Sequence, residues 1–271
     1  MMLYLIPVVV LGLIFGSFFN VVIYRTPIFL EGQFKKKNQP SLLNQLAWPT
    51  SFCTSCKTKI HWFDNIPILS WIALKGRCRY CHKTIKIRYC IVELLTAVIF
   101  SYSFLKFGFS YITIYWIALF SILVILFFID FETYYLPDFF TFSIIILALV
   151  GSYFQITQIA LTDALIGGFF GFFVLYFVNF IYKTIRKVDG FGGGDFKLLA
   201  GLGAWFGWPS LLIIIGISSV LALVFILLMT LIIQRKFQLN SMLPFGPFLI
   251  LSGLLMYANT YLNFGLFQAY L

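Results

Sequence analysis

The stretch Ser121-Ile122-Leu123-Val124-Ile125-Leu126-Phe127-Phe128-Ile129-Asp130 decides how the rest of the chain is read. It closes an apolar segment over 110–129 that is long enough to cross about 30 Å of hydrocarbon as a helix, and it ends on a carboxylate. Similar segments recur at roughly 3–24, 89–107, 138–154, 162–182, 196–208, 210–233 and 246–267. With 61% hydrophobic residues, 34 Phe and a mean hydropathy of +0.98, an ordinary soluble domain is excluded. The expected fold is an all-α polytopic membrane protein of about eight transmembrane helices. The first span is expected to be retained rather than cleaved as a signal, because it lacks a basic leading region and continues directly into Tyr24-Arg25.

The net charge of +10 raises nucleic acid as a partner, but the placement of the charges argues for a topology signal instead. If the segment after the first span is put inside, every Lys and Arg except Lys106 falls on that same side. The positive-inside rule then predicts both termini outside and 25–88 cytoplasmic. The basic face adds an attraction to anionic lipid head groups. The domains expected are therefore 1–24 as the first transmembrane helix, 25–88 as a cytoplasmic insert, and 89–271 as a helical membrane domain. Within the last, Gly167 and Gly171 have the small-xxx-small spacing of a close helix contact.

A carboxylate at membrane depth needs a reason in a chain with only 9 Asp+Glu. Asp130 is one. Asp195 is another, in Gly192-Gly193-Gly194-Asp195-Phe196-Lys197 at the start of the sixth span. That span is short. Asp195 to Trp208 covers about 20 Å of helix at about 1.5 Å per residue, against about 30 Å of core, so the glycine run is expected in a water-filled notch, where non-helical backbone is tolerated. Alone, Asp130 reads best as an interface anchor. Together with Gly-Gly-Gly-Asp it reads as half of a catalytic pair, because two adjacent carboxyls can share a proton and act as general acid and general base. The expected site is thus Asp130 and Asp195, supported by Gly192, Gly193, Gly194, Lys197 and Glu93. Glu93 lies about one turn into an apolar span and requires a partner or a cavity. Asp138 suits a helix N-terminus and is given that structural role. Glu132 and Asp163 read as interfacial charges. Asp189 either orients the glycine loop or is a solvated loop charge.

Cys53-Thr54-Ser55-Cys56 and Cys78-Arg79-Tyr80-Cys81 form two CxxC knuckles. This spacing brings four thiolates to a tetrahedral centre, and a cytoplasmic location disfavours disulfides. A small zinc-ribbon-like domain with a closed, structural zinc is expected, with a redox pair or bare thiols as the alternative. His61 and His82 lie nearby but are not needed as ligands. Cys90 reads as a small apolar residue.

These residues together resemble the type IV prepilin peptidases, aspartyl proteases of the GxGD class. The resemblance covers nearly the whole chain. It runs through Gly16-Ser17-Phe18-Phe19-Asn20-Val21-Val22-Ile23-Tyr24-Arg25, the two cysteine knuckles, and Trp62-Phe63-Asp64-Asn65-Ile66-Pro67-Ile68-Leu69-Ser70-Trp71 between them. Further on it includes Ile129-Asp130, Leu136-Pro137-Asp138, Gly190-Phe191-Gly192-Gly193-Gly194-Asp195-Phe196-Lys197 and Pro244-Phe245-Gly246-Pro247-Phe248. The resemblance implies that Asp130 and Asp195 are catalytic and that Cys53, Cys56, Cys78 and Cys81 bind metal. The position of Asp138 is also found as Asn in the family. Asp189 stands where the family usually has Glu, and Cys90 where it usually has Pro. Members with the cysteine domain typically cleave the leader of prepilins or pseudopilins after a glycine at the cytoplasmic face of the bacterial inner membrane. They then N-methylate the new terminal residue with S-adenosylmethionine. No glycine-rich methyl-donor motif is present, so the methylation expectation rests on the resemblance alone.

Two other classes and a narrower activity compete with this reading. A proton-coupled transporter would spread its carboxylates across the bilayer, whereas Asp130 and Asp195 are expected near one face. An inactive zinc-bearing scaffold gives no reason for a triple glycine beside an intramembrane Asp. A peptidase without methyltransferase activity is the third alternative.

Overall fold

The computed structural model describes residues 2–35, 44, 46, 50–233 and 243–262. The chain divides into two compact units, 1–125 and 126–271. Among the described residues there are nine α-helices: α1 (Leu5–Lys35), α2 (Leu69–Ala73), α3 (Arg88–Phe107), α4 (Tyr111–Thr133), α5 (Asp138–Tyr153), α6 (Leu161–Arg186), α7 (Gly193–Phe206), α8 (Ser210–Ile233) and α9 (Gly246–Leu262). Among those residues β-structure is confined to two isolated bridges.

In the first unit α1 packs along α3. Gly12 and Gly16, one turn apart, make the approach possible. A Cβ on Gly12 would lie 2.6 Å from Ala97 Cα, and one on Gly16 2.6 Å from Glu93 Cα. Without a hydrophobic force between helices in lipid, such backbone contact supplies much of the association energy. Asn20 Nδ2 donates to Tyr89 O at 3.0 Å and ties the same pair together. Helix α1 does not stop at residue 24. It continues through Arg25 and Pro27 to Lys35, and its apolar window reaches Gly32.

The segment between α1 and α3 carries two turns with the same hydrogen-bond pattern, offset by 25 residues. Phe52 pairs with Lys59 and Arg77 with Thr84. Cys53 N–H donates to Thr58 O and Cys78 N–H to Lys83 O, while Lys57 and His82 N–H return to Cys53 O and Cys78 O. Lys57 and His82 both take left-handed backbone, φ 60° and 54°. Trp71 packs on Gly76, where a Cβ would lie 2.8 Å from the indole. Arg79 grips Asp64 with both arms, at 2.8 and 2.6 Å. That guanidinium, through its hydrogen bonds and charge, holds the Asp64 carboxyl below the usual carboxylate range.

In the second unit the short helix α7 is the centre. Every residue from Leu198 to Phe206 is buried, as are Asp195 and Phe196. Helix α6 lies against it backbone to backbone. Gly167 faces the Gly203 carbonyl, and a Cβ on Gly171 would lie 2.6 Å from Leu199 O. The close contact expected at Gly167 and Gly171 is therefore made, and its partner is α7. Helix α5 seats Ile144 on Gly201, and α9 places Gly253 against Leu202. Phe196 fills the remaining gap against Phe172 and Tyr176 in edge-to-face contacts. On its other face α6 leaves Phe169, Phe177 and Phe180 exposed, and α8 leaves Leu212, Leu223 and Leu231. An apolar surface this continuous belongs in lipid.

The expectation of about eight spans is met in the positions of the helices and only in part in their lengths. A helix lies at each of the eight expected positions, but five are long and apolar enough to cross a membrane: α1, α3, α4, α6 and α8. The others have 16, 14 and 17 described residues. At about 1.5 Å per residue they fall short of about 30 Å. For α7 the physical reason is its enclosure, since a helix jacketed by its neighbours has no lipid thickness to match. The expected end of the last span, 263–267, lies outside the described residues.

The α6–α7 approach predicts that Gly171→Val will be poorly tolerated. The added branches meet main-chain atoms that cannot turn aside, so a loss of about 1–3 kcal/mol is expected. Thermal unfolding in detergent should show a lowered midpoint. An unchanged midpoint would mean that the two helices separate freely.

Candidate active site and cysteine centre

Asp130 lies in the last turn of α4. Tyr134, in left-handed backbone (φ 58°), donates its N–H to Asp130 O and ends the helix there. The side chain is 4% exposed, and its Oδ2 has no hydrogen-bond partner among the described residues. A buried carboxylate oxygen without a protein partner must be satisfied by a proton, water or substrate. Gly246 at the start of α9 abuts this oxygen, where a Cβ would lie 2.6 Å from Oδ2. Gly246 leaves room for Asp130, and its backbone N–H also acts on that carboxyl.

Asp195 occupies the first turn of α7. Gly192 is the N-cap, and its N–H donates to Asp195 Oδ2 at 3.2 Å, while Asp195 N–H returns to Gly192 O at 3.1 Å. The carboxylate thus sits at the positive end of the helix dipole. The residue is 8% exposed. Leu136 packs on both Gly194, beside Asp195, and Gly246, beside Asp130. The aspartates lie near enough for the charge of Asp130 to act on Asp195. Gly193 is open on the side a Cβ would occupy, whereas at Gly194 a Cβ would lie 2.6 Å from Leu136.

Asp138 is placed differently. It opens α5 and pairs with Lys197 Nζ at 2.6 Å, with its side chain 58% exposed. Lys197 also lies over the Phe142 ring. Its observed role is to tie the starts of α5 and α7 together. Glu93 belongs to the 1–125 unit. It accepts the N–H of Ile68 at 2.7 Å, and Ser17 also bonds it. The partner required of this buried carboxyl is therefore the backbone of the cysteine-bearing segment.

Asn179 was missed in the sequence. From α6 its Oδ1 accepts both Gly190 N–H (2.7 Å) and Phe191 N–H (3.0 Å), and its Nδ2 donates to Asp189 Oδ1 at 3.3 Å. Lys183 completes the clamp on Asp189 at 2.9 Å. Lys183 and Asn179 hold the Asp189 carboxyl below its ordinary range. Asp189 therefore orients the loop rather than standing free in solvent. The available signal was a lone amide between Phe177-Val178 and Phe180-Ile181, a polar group costly to bury without partners.

The four knuckle cysteines converge. Their sulfurs all lie within 4.8 Å of one another, and Cys53 Sγ and Cys81 Sγ are 3.9 Å apart. A tetrahedral four-thiolate centre with bonds of about 2.3 Å has edges of about 3.8 Å, so the donor set fits a metal ion of that kind. Hydrogen bonds from Thr58 lower the Cys56 thiol to about 6, and backbone N–H groups of Cys81 and Tyr80 lower Cys78. Thiolates, the form that binds metal, are favoured at those two positions.

Residues 10–107 match the model of the bacterial peptidase A24 N-terminal domain, and 117–227 that of the type IV leader peptidase family. The chain belongs to the type IV leader peptidase family. It is 38% identical over 262 residues to a prepilin leader peptidase/N-methyltransferase of Neisseria gonorrhoeae, covering 92% of this chain and 88% of the relative. To proteins of the same name it is 36% identical in Aeromonas salmonicida (93% and 89% covered) and 34% identical in Pseudomonas aeruginosa (96% and 94%). No solved structure gives a significant match.

Two outcomes are expected. Asn179→Ala should free the Gly190 and Phe191 amides, read as lost hydrogen-exchange protection at those two residues with the rest of α6 unchanged; retained protection would show that the clamp is dispensable. Purified protein should carry one metal ion per chain, and Cys53→Ser with Cys81→Ser should release it and expose 50–87 to protease. A metal-free wild type with that segment still resistant would remove the metal from the account.

Proposed function

We propose that this peptidase cleaves the leader of type IV prepilins or pseudopilins after a glycine at the cytoplasmic face of the bacterial inner membrane, and N-methylates the residue it uncovers. The observation that carries the cleavage half is a pair of buried carboxyls, one ending α4 and one beginning α7, near enough for the charge of one to act on the other. Adjacent like charges in a poorly solvated site do not both ionise cheaply. One carboxylate deprotonates a water held between them, and the other donates its proton to the scissile carbonyl or departing amine. Gly246 leaves space at Asp130, and the Asn179 clamp holds the loop leading into Asp195. The substrate's basic leader stays in the cytoplasm and its apolar helix in the bilayer, which puts the junction at the depth of the pair.

The four cysteines hold a structural zinc in this reading, with no open position for catalysis. S-adenosylmethionine, when bound, supplies a methyl group on a sulfonium sulfur. The relatives' shared name supports methylation, and no residue of the aspartate site is assigned to it. A proton-relay carrier is disfavoured because, among the described residues of the 126–271 unit, the buried carboxyls are Asp130 and Asp195 alone, and Glu93 in the other unit is committed to the Ile68 amide.

Cleavage of a prepilin by purified variants tests the assignment. Asp130→Asn and Asp195→Asn keep shape and lose proton transfer, so each should abolish cleavage while membrane insertion and metal content stay normal. Asp138→Asn loses an exposed ion pair worth about 0–1 kcal/mol and should retain substantial activity. Activity surviving in Asp130→Asn but lost in Asp138→Asn would move the catalytic role to Asp138.

A further inference from the structure

The stretch 62–72, between the two cysteine turns, holds apolar side chains outward where a segment bathed in water would hide them. Trp62 is 80% exposed, Leu69 66% and Ile72 60%, and Ile66 is exposed as well. Leu69 and Ile72 are three apart on α2 and so share a face. We propose that this stretch is an interfacial anchor, its apolar face seated in the bilayer leaflet on the side of the cysteine turns, with phospholipid as the partner that covers it. The anchor is independent of the reaction proposed above.

Depth is what singles out lipid. Helix α3 has 20 residues, about 30 Å of helix, which is the thickness of the hydrocarbon core, so Arg88 stands at one edge. Glu93 lies five residues further in, about 7 Å inside that edge, and its carboxylate accepts the Ile68 N–H at 2.7 Å. Ile68 is therefore held at hydrocarbon depth, and Leu69 follows it directly. Helix α1 gives the same level independently. Asn20 bonds Tyr89 near the edge and Gly16 lies against Glu93, while Ile14, Ser17 and Phe18 line one cavity together with Asn65 and Pro67. Both helices thus place 65–68 inside the edge. Backbone at that level must find its acceptors within the protein. It does so, since the N–H groups of Leu69, Ser70 and Ile72 bond Pro67 O, Ile66 O and Ile68 O.

The charges match an anionic surface. From 65 to 92 the chain has six Lys and Arg and no Asp or Glu, and Lys75, Arg77 and Lys83 are exposed. Exposed apolar residues with basic ones close by are the composition of segments that lie in such a surface, and an exposed Trp suits the head-group layer. The first cysteine turn, by contrast, exposes Thr54, Ser55 and Lys57, a surface for water. Arg79 of the second turn grips Asp64 within the stretch, so the seated anchor also fixes the cysteine centre beside the membrane.

Photocrosslinking of the full-length protein in nanodiscs of phosphatidylethanolamine and phosphatidylglycerol tests this, with metal content as the check on folding. Leu69, Ile72 and, as the water-facing control, Thr54 are each replaced by p-benzoylphenylalanine. Mass spectrometry should find phospholipid adducts at 69 and 72 about tenfold or more above those at 54. Adducts no higher than at 54 overturn the anchor. So does crosslinking to a second copy of the chain in place of lipid, which would make the face a dimer contact. Added prepilin that takes over the crosslinks at 69 and 72 also overturns it and makes the face a substrate-docking surface, whereas lipid adducts unchanged by prepilin support it. A measurement without the label covers a site that the label unfolds. Brominated phospholipid should quench Trp62, read as the emission lost between wild type and Trp62→Phe, and a Trp62 emission untouched by bromine overturns the anchor.

Discussion

Gly167 and Gly203 bring the backbones of α6 and α7 so close that no Cβ fits between them, and Gly171 repeats the contact one turn along. In lipid this close approach replaces the hydrophobic force that would join helices in water. It also allows α7 to be short. A 14-residue helix could not face lipid along a full bilayer, but jacketed by α5, α6 and α9 it need not. Its N-terminus can then begin inside the bundle, which is what carries Asp195 and its cap to depth. The glycine run ahead of it meets the same constraint. Gly194 must be bare because Leu136 lies on it, and Leu136 is the residue that also reaches Gly246 beside Asp130.

Much of this was legible in the sequence because the signals were expensive ones. A carboxylate ending an apolar run and another following three glycines each violate the local composition, and such violations mark sites that need an explanation. The paired CxxC spacing was equally direct, and the two equal turns with left-handed Lys57 and His82 are its structural consequence. Asn179 was less visible. Its value depends on two backbone N–H groups eleven and twelve residues away, a distance at which no helical periodicity operates. Span counting is less direct, since α5, α7 and α9 hold 16, 14 and 17 described residues, fewer than a straight crossing of about 30 Å takes.

In the first unit the same logic places a charge where sequence could only require one to be satisfied. Glu93 is buried on α3, and Gly16 of α1 lies against its Cα. Its carboxyl accepts the amide of Ile68, in left-handed backbone at φ 61°. Beta-branched residues avoid that conformation, so a strong acceptor at this amide helps to fix it. The membrane helix and the segment holding the cysteine turns are thereby joined by a charge-assisted hydrogen bond. The stretch from Trp62 to Trp71 is held from the other side by Arg79, a residue inside the second knuckle. Metal binding and the posture of that stretch are therefore linked through one short segment, Cys78 to Cys81.

Four aspartates stand in or close to the glycine loop in sequence or in space, and their surroundings separate them. Asp138 is exposed and paired with Lys197, so its charge is already answered. Asp189 is likewise exposed and answered by Lys183 and Asn179. Only Asp130 and Asp195 are buried without a cation, one retaining an unpartnered oxygen and the other held by a single backbone N–H at a helix N-terminus. General acid–base chemistry needs groups whose protons are not already committed. The two ion-paired aspartates anchor the frame, and the two without a cation are the pair to which the proposed reaction gives the proton transfer.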